Sequence, residues 1–181
     1  MISQTQKTIF LDRDGTLNED VDYLSRLEDL RIFPFTLPAL ELLKGAGYRL
    51  VVVTNQSGIG RGFYDEAALS SIHQEMQNRL DGLIDAFYHC PHLPSDGCLC
   101  RKPGLGMIEQ ARRDLEIDVS QSWMIGDKDL DIETGFAAGV MTAMVRTGYG
   151  DYHESRLDRK PDIIAENVLE AAKKIVRRTG N

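Results

Sequence analysis

Three cysteines are all that 181 residues contain. Three cannot all pair, which argues against a disulfide framework and makes a reducing cytoplasm the expected setting. No apolar stretch approaches the ~18 residues of a membrane-spanning helix, and the opening MISQTQK has no apolar core of the kind a signal peptide needs. Positive charge is also scarce: 21 Lys and Arg against 28 Asp and Glu leave a net charge of -7. A basic face for nucleic acid or for an anionic membrane is therefore not expected. An acidic chain can still bind an anion where its few cations converge. No repeat, linker or low-complexity segment divides the sequence. What remains is an ordinary globular composition, 42% apolar and 27% charged, with length for one domain over 1–181. A monomer is the expected state.

The stretch Thr8 to Asn18, TIFLDRDGTLN, organises the rest. Ile9-Phe10-Leu11 reads as a buried strand that ends abruptly in Asp12-Arg13-Asp14-Gly15-Thr16. Carboxylates at the C-terminal end of a strand sit where open α/β sheets place their chemistry. Such a pair can hold a divalent cation, or divide labour between a nucleophile and a proton carrier. Alone, the pair would read as a solvated turn.

Residues 18–35 follow as an irregular loop rich in acids and aromatics. A helix is expected over 38–44, with Thr36 as N-cap and Gly47 as its stop. A second strand over 50–53 leads into Thr54-Asn55-Gln56-Ser57-Gly58. Asp65 caps a helix whose Leu69, Ile72, Met76 and Leu80 form a core stripe. A third strand at 87–88 ends at Cys90, and a cysteine-rich loop runs to Lys102. A helix over 105–115, a strand over 123–125, a helix over 129–138 closed by Gly139, and strands over 141–145 and 162–165 come next. The last element is an amphipathic helix over 168–178 with a basic final turn.

Strands alternating with helices imply a Rossmann-like, mainly parallel sheet covered on both faces. Right-handed crossovers put all strand C-termini on one edge. Asp12, Thr54 and Asp127 would meet there if strands one, two and four are neighbours. Asp12, Asp14 and Asp127 offer hard oxygens for Mg2+. Thr54 offers a hydroxyl and a backbone N–H, and Lys102 beside Arg101 offers charge neutralisation. Together they are what phosphoryl transfer requires. Singly, each has a plainer role as strand end, surface cation or helix cap, with Asp131 as a second cap. The connections leave room for helices but not for a separate cap domain, so the site should be open and covered only by loops such as 18–35 and 90–100. Arg61, Arg101, Lys102, Lys128 and Arg146 are candidates for a local positive cluster.

Cys90-x-His92 and Cys98-x-Cys100 place four soft or borderline ligands within eleven residues. A closed Cys3His tetrahedron is a structural zinc site. The plainer reading is free thiols with a surface histidine, and His89 is a competing ligand.

DRDGT (12–16), the strand ending in Thr54, Lys102-Pro103 and Gly126-Asp127-x-x-x-Asp131 resemble the four motifs of haloacid-dehalogenase-type phosphatases. TNQSGIGRG (54–62), CPHLPSDGCLCRKP (90–103) and VRTG (145–148) are similar to the subgroup that contains heptose bisphosphate and histidinol-phosphate phosphatases, which shares the zinc loop. The resemblance implies that Asp12 is the nucleophile and Asp14 the general acid and base. It implies Mg2+ on Asp12, Asp127 and the Asp14 carbonyl, with Asp131 behind them, and Thr54 and Lys102 on the phosphoryl oxygens. It implies substrate contacts at Asp20, Val21, Asp22, Tyr23, Asn55, Gln56, Ser57, Arg101 and Lys128. The substrate expected is a small phosphorylated sugar, heptose bisphosphate on the route to ADP-heptose and lipopolysaccharide. Histidinol phosphate is the alternative, favoured by the short span between the zinc pairs. A nucleic-acid end-processing phosphatase and a non-catalytic zinc-stapled binding module are the readings left after these.

Overall fold

The computed structural model describes residues 5–179; the extremes of the expected 1–181 domain, residues 1–4 and 180–181, lie outside the described residues. Six strands form one parallel sheet: β1 (Gln6–Leu11), β2 (Arg49–Asn55), β3 (Ala86–Cys90), β4 (Ile117–Gly126), β5 (Met141–Val145) and β6 (Ile163–Ala165). Their spatial order is β3-β2-β1-β4-β5-β6. This is the Rossmann order, whose direction reverses between β1 and β4, where such sheets open a crevice at the strand ends. β1 therefore lies between β2 and β4, and the neighbourhood required for a common site is met.

Among the described residues seven α-helices connect and cover the strands: α1 (Thr36–Gly45), α2 (Ser57–Gly60), α3 (Glu66–Arg79), α4 (Gly106–Leu115), α5 (Asp129–Ala138), α6 (Gly150–Glu154) and α7 (Val168–Thr179). Because side chains alternate along a strand, β1 serves two cores at once. Ile9 and Leu11 join Leu50, Val52, Trp123 and Ile125 beneath α1, α3 and α7. Phe10 joins Val51, Val53 and Met124 against Met107, Ile108 and Ala111 of α4. Strands buried on both faces explain the continuous apolar runs that made them readable.

Several boundaries differ from expectation. β4 begins six residues before Trp123, at Ile117, because Ile117 and Asp118 pair with Gln6 and Lys7 ahead of a register shift. Its polar Asp118 to Ser122 stretch carries no strand signal. β2 runs on through Thr54 and Asn55, which pair with His89 and Cys90; Thr54 thus ends inside the sheet. Thr36 is the first residue of α1 and not its cap, since its hydroxyl donates to the Leu17 carbonyl at 2.7 Å. Asp65 does cap α3, accepting from the Ala68 N–H at 2.9 Å. Short turns of helix at Leu27–Asp29, Ser57–Gly60, Pro94–Asp96 and Gly150–Glu154 occupy stretches that read as loop, being too short to show a period. Among the described residues no helix is long and apolar enough to cross a membrane.

α5 fixes the site from behind, and its distance from the sheet depends on Gly135. A Cβ at that position would stand 2.5 Å from Thr142 Cγ2 and 3.0 Å from Met124 Cβ. Gly135→Ala gains about 1 kcal/mol of helix propensity but overpacks a sheet contact, a loss of about 1–3 kcal/mol. The overpacking should win. Urea denaturation should show a lower midpoint, whereas an unchanged or higher one would mean that α5 can retreat without cost.

Candidate active site

At the C-terminal edge of the sheet, Asp12 leaves β1 with its N–H donated to the Ile125 carbonyl at 2.9 Å. Leu11 pairs with both Val52 and Ile125, so Asp12 emerges level with the end of β4 and two residues before the end of β2. Carboxylate oxygens of Asp12, Asp127 and Asp131 lie within 4.8 Å of one another, and all three side chains are buried. Lys102 reaches in between: its Nζ donates to Asp12 Oδ1 at 2.8 Å and to Asp131 Oδ1 at 2.6 Å. Burial alone would discharge this ammonium, but the two carboxylates outweigh it and raise its pKa. Asp131 Oδ2 accepts the Lys128 N–H at 3.0 Å at the start of α5. Both its oxygens are therefore occupied, which fits a place behind the cation site.

Asp127 is held differently. Its Oδ2 accepts the Tyr149 N–H at 2.9 Å, and Oδ1 faces the Thr16 hydroxyl at 3.4 Å. Gly15 and Gly148 close around it: a Cβ on either would fall 2.3 and 2.4 Å from Asp127 Oδ2, and both have positive φ, +84 and +60. Only glycine satisfies both demands. Burial, and then the charges of Asp12 and Asp131, push the Asp127 pKa well up; burial and then the Asp12 charge raise Asp131 against the pull of Lys102. Four carboxylates (Asp12, Asp14, Asp127, Asp131) face two closely bonded cations, Arg13 and Lys102. The donors gathered here are the hard carboxylate oxygens that Mg2+ prefers.

Asp14 points into a second network. Its Oδ1 accepts from Arg13 Nε at 3.1 Å and from Asn18 Nδ2 at 2.9 Å. Its Oδ2 accepts from Arg13 Nη2 at 2.8 Å and from Gln56 Nε2 at 2.9 Å. Burial pushes this carboxyl up, yet the Arg13 guanidinium and the three sets of hydrogen bonds prevail and hold it below the usual carboxylate range. Arg13 is itself fully buried, with Nη1 3.2 Å from His73 Nε2. His73 stacks on Phe87 at 4.4 Å. Burial and the neighbouring Arg13 charge lower its pKa to about 3, so the ring accepts from Arg13 as neutral imidazole.

Asp12, Asp14, Thr54, Lys102 and Asp131 line one pocket, while Asp127 and Arg13 lie behind its wall. Asp20, Asp22 and Tyr23 border it from the 18–35 loop, and Ser57, Arg101 and Lys128 from the other strand ends. Val21 does not line this pocket; it borders an adjoining hollow that shares Asp22 and Tyr23 with it, and is 37% exposed. The chain turns directly after it, with Asp22 and Tyr23 both at positive φ, so its neighbours' position does not carry over. Arg61 and Arg146 also fall outside the pocket lining. Arg61 stacks its guanidinium 5.8 Å from the Tyr23 ring, which meets Phe63 edge-on at 4.9 Å. Arg146 is engaged by Glu154 at 2.7 Å and by Glu166. Asn55 borders the pocket with both amide atoms bonded to the Lys102 backbone, at 3.0 and 3.2 Å. Lys128 pairs with Asp20 at 2.9 Å beside the Tyr149 ring. Sequence reasoning missed Arg13, Tyr64 and Tyr149. A cation between two acids in DRD was a signal for the first; the others lie in stretches with no pattern of their own.

The sulfurs of Cys90, Cys98 and Cys100 and His92 Nδ1 converge at 3.2–3.6 Å. A Zn–S bond of about 2.3 Å in a tetrahedron separates sulfurs by roughly 3.8 Å, so the four groups stand close to the spacing that one ion would impose. They could hold a metal ion. His89 is outside the cluster, its Nε2 paired with Glu66 at 2.8 Å. The loop ends directly at Arg101, whose Nη1 donates back to the His92 carbonyl at 3.3 Å.

A neutral buried His73 has a consequence for stability. Its pKa falls from 6.5 to about 3 on folding, so between those values the unfolded chain takes up a proton that the folded one refuses. Stability is then lost as pH falls below about 6.5, by up to about 1.4 kcal/mol per pH unit. His73→Gln keeps an acceptor for Arg13 and removes the proton site. Denaturation midpoints at pH 7 and pH 5 should differ less in that variant; an equal difference would mean that the imidazole charges in the folded state.

A family model described as HAD-hydrolase-like matches residues 99–171. The D-glycero-beta-D-manno-heptose-1,7-bisphosphate 7-phosphatase of Haemophilus ducreyi is 40% identical over 176 residues, covering 91% of this chain and 96% of the relative. The protein of that name from Haemophilus influenzae is 44% identical over 153 residues, covering 78% of this chain and 83% of the relative. Among solved structures, D,D-heptose 1,7-bisphosphate phosphatase from B. bronchiseptica, complexed with magnesium and phosphate, superposes with a TM-score of 0.89 at 33% identity. It covers 95% of this chain and 99% of that one. The chain belongs to the haloacid-dehalogenase-like phosphatases, in the group of phosphoric monoester hydrolases of the heptose-1,7-bisphosphate 7-phosphatase type.

Proposed function

We propose that this chain removes the C7 phosphate of D-glycero-D-manno-heptose 1,7-bisphosphate through an aspartyl-phosphate, in the supply of ADP-heptose for lipopolysaccharide. The observation that carries the mechanism is the buried Asp12 carboxylate with one oxygen fixed by Lys102, which leaves the other for attack. Asp12 bonds to phosphorus as the ester P–O bond breaks, and the leaving alkoxide takes a proton from Asp14. Water then attacks the acyl phosphate, gives its proton to Asp14 and releases inorganic phosphate with Asp12 restored. Lys102 and Thr54 steady the phosphoryl oxygens. In the free protein Arg13 keeps Asp14 ionised, the state suited to the second step. The approach of a phosphate dianion raises that carboxyl and supplies the proton-bearing form for the first. Asp12, Asp127 and the Asp14 carbonyl would hold Mg2+, which when bound screens the charge between carboxylate and phosphate. Cys90, His92, Cys98 and Cys100 would hold zinc and pin the segment leading to Arg101 and Lys102.

The sugar assignment is supported by relatives of that name aligned over nearly the whole chain. With Mg2+ present, kcat/KM should be larger for heptose bisphosphate than for histidinol phosphate. The reverse order would transfer the substrate and keep the mechanism. Asp12→Asn should abolish phosphate release from both, since no nucleophile remains; continued release at the native rate would remove the basis of this proposal. Cys98→Ser should lower zinc content and turnover together. Full activity in zinc-free protein would separate the clip from the chemistry.

A further inference from the structure

Gln56 is buried, 3% exposed, between the two groups that this reading assigns to proton transfer and phosphoryl binding. Its amide makes four hydrogen bonds. Oε1 accepts from Arg13 Nη2 at 3.2 Å and from the Tyr64 hydroxyl. Nε2 donates to Asp14 Oδ2 at 2.9 Å and to Thr54 Oγ1 at 2.8 Å. An amide has two lone pairs on oxygen and two hydrogens on nitrogen, so this one has no capacity left for a ligand. Nor can it turn over, because the reversed amide would set its hydrogens against the Arg13 guanidinium, which only donates, and its oxygen against the ionised Asp14 carboxylate, which only accepts.

The consequence falls on Thr54. Its hydroxyl oxygen accepts from Gln56 and so cannot give its proton there. Thr54 stands in the pocket wall, where that proton is free for an oxygen of whatever occupies the pocket. The same amide ties the orientation of Asp14 to that of Thr54. Tyr64 reaches Gln56 because Gly58 lets it pass: a Cβ on Gly58 would lie 2.2 Å from the Tyr64 ring.

We propose that Gln56, locked in one orientation by Arg13 and Tyr64, is a positioning residue that aims Thr54 and Asp14 at the phosphoryl group and makes no contact with the sugar. The inference rests on the phosphatase reading above. Its test uses steady-state kinetics at saturating Mg2+ on heptose bisphosphate and on phenyl phosphate, which has no sugar. Gln56→Glu is isosteric and replaces the donor by an acceptor. Tyr64→Phe keeps Gln56 and removes one of the two groups that orient it.

For Gln56→Glu, kcat should fall by about tenfold to a hundredfold on both substrates by a similar factor, with KM within about twofold, as expected for displaced proton-transfer and phosphoryl-binding groups. Tyr64→Phe should show the same pattern with a smaller loss, and it decides the matter if Gln56→Glu does not fold. A loss confined to heptose bisphosphate, or a raised KM at native kcat, would make Gln56 a sugar contact and overturn the inference. So would native kinetics in both variants, or a lower melting temperature with native kcat per folded molecule. Asp12→Asn run alongside separates the two levels. If it stays active, the phosphatase reading fails. If it is inactive while the Gln56 and Tyr64 variants keep native kinetics, only the positioning role fails.

Discussion

The Lys102 ammonium between Asp12 and Asp131 ties together three segments far apart in sequence: the end of β1, the exit of the cysteine loop and the first turn of α5. Taking one such charge out of water is costly, and a buried pair breaks even only with good geometry and its remaining hydrogen bonds satisfied. Here the geometry is held from all sides. Asn55 grips the backbone of Lys102 through both amide atoms, the Lys128 N–H fixes Asp131, and β1 is fixed by neighbours on each side. A two-carboxylate clamp on one ammonium still leaves Asp127 crowded by Asp12 and Asp131, a repulsion that the Lys128 charge and the Tyr149 N–H do not overcome. The fold has thus bonded enough positive charge to keep the site assembled, but not enough to neutralise it. Stability alone would favour apolar replacement of such a cluster, so the excess charge is a mark of chemistry.

Legibility in the sequence followed the range of the interactions. Strands buried on both faces announce themselves in short apolar windows, and the three acidic exits at Asp12, Asp127 and Asp131 could be placed from those strands and the helix behind the last. The polar first half of β4 could not, because its pairing with Gln6 and Lys7 is a matter of register between distant segments. The site divided the same way. Asp12, Thr54, Lys102 and Asp127 follow recognisable elements or motifs. Tyr64 does not: its place depends on the absence of a Cβ at Gly58 and on an amide two residues earlier. Val21, expected at the site with the rest of its loop, borders an adjoining hollow that shares Asp22 and Tyr23 with the pocket.

The two aspartates of DRD, one residue apart, are treated in opposite ways. Asp12 faces an ammonium on one oxygen only. Asp14 has both oxygens filled by Arg13, Asn18 and Gln56. The turn after β1 makes this possible, closed by the Thr16 and Leu17 N–H groups on the Arg13 carbonyl: the first carboxylate turns toward β4 and Asp127, the second toward α2, where Gln56 and Tyr64 wait. Arg13 between them is turned inward onto His73 and is completely buried, so the tripeptide fans its three charged side chains into three environments.

That arrangement also explains why the glycines of the edge cannot be exchanged for alanine. Gly15 and Gly148 leave space for the Asp127 carboxylate, Gly58 for the Tyr64 ring and Gly126 for Asp131, whose Oδ2 would be 2.2 Å from a Cβ there. At each of these places the close neighbour is a side chain of the site or one that orients it. The strand ends are therefore packed around their polar groups as tightly as the core is around its apolar ones. A cation arriving between Asp12 and Asp127 would meet carboxylates that backbone has already confined, with little reorganisation left to oppose binding.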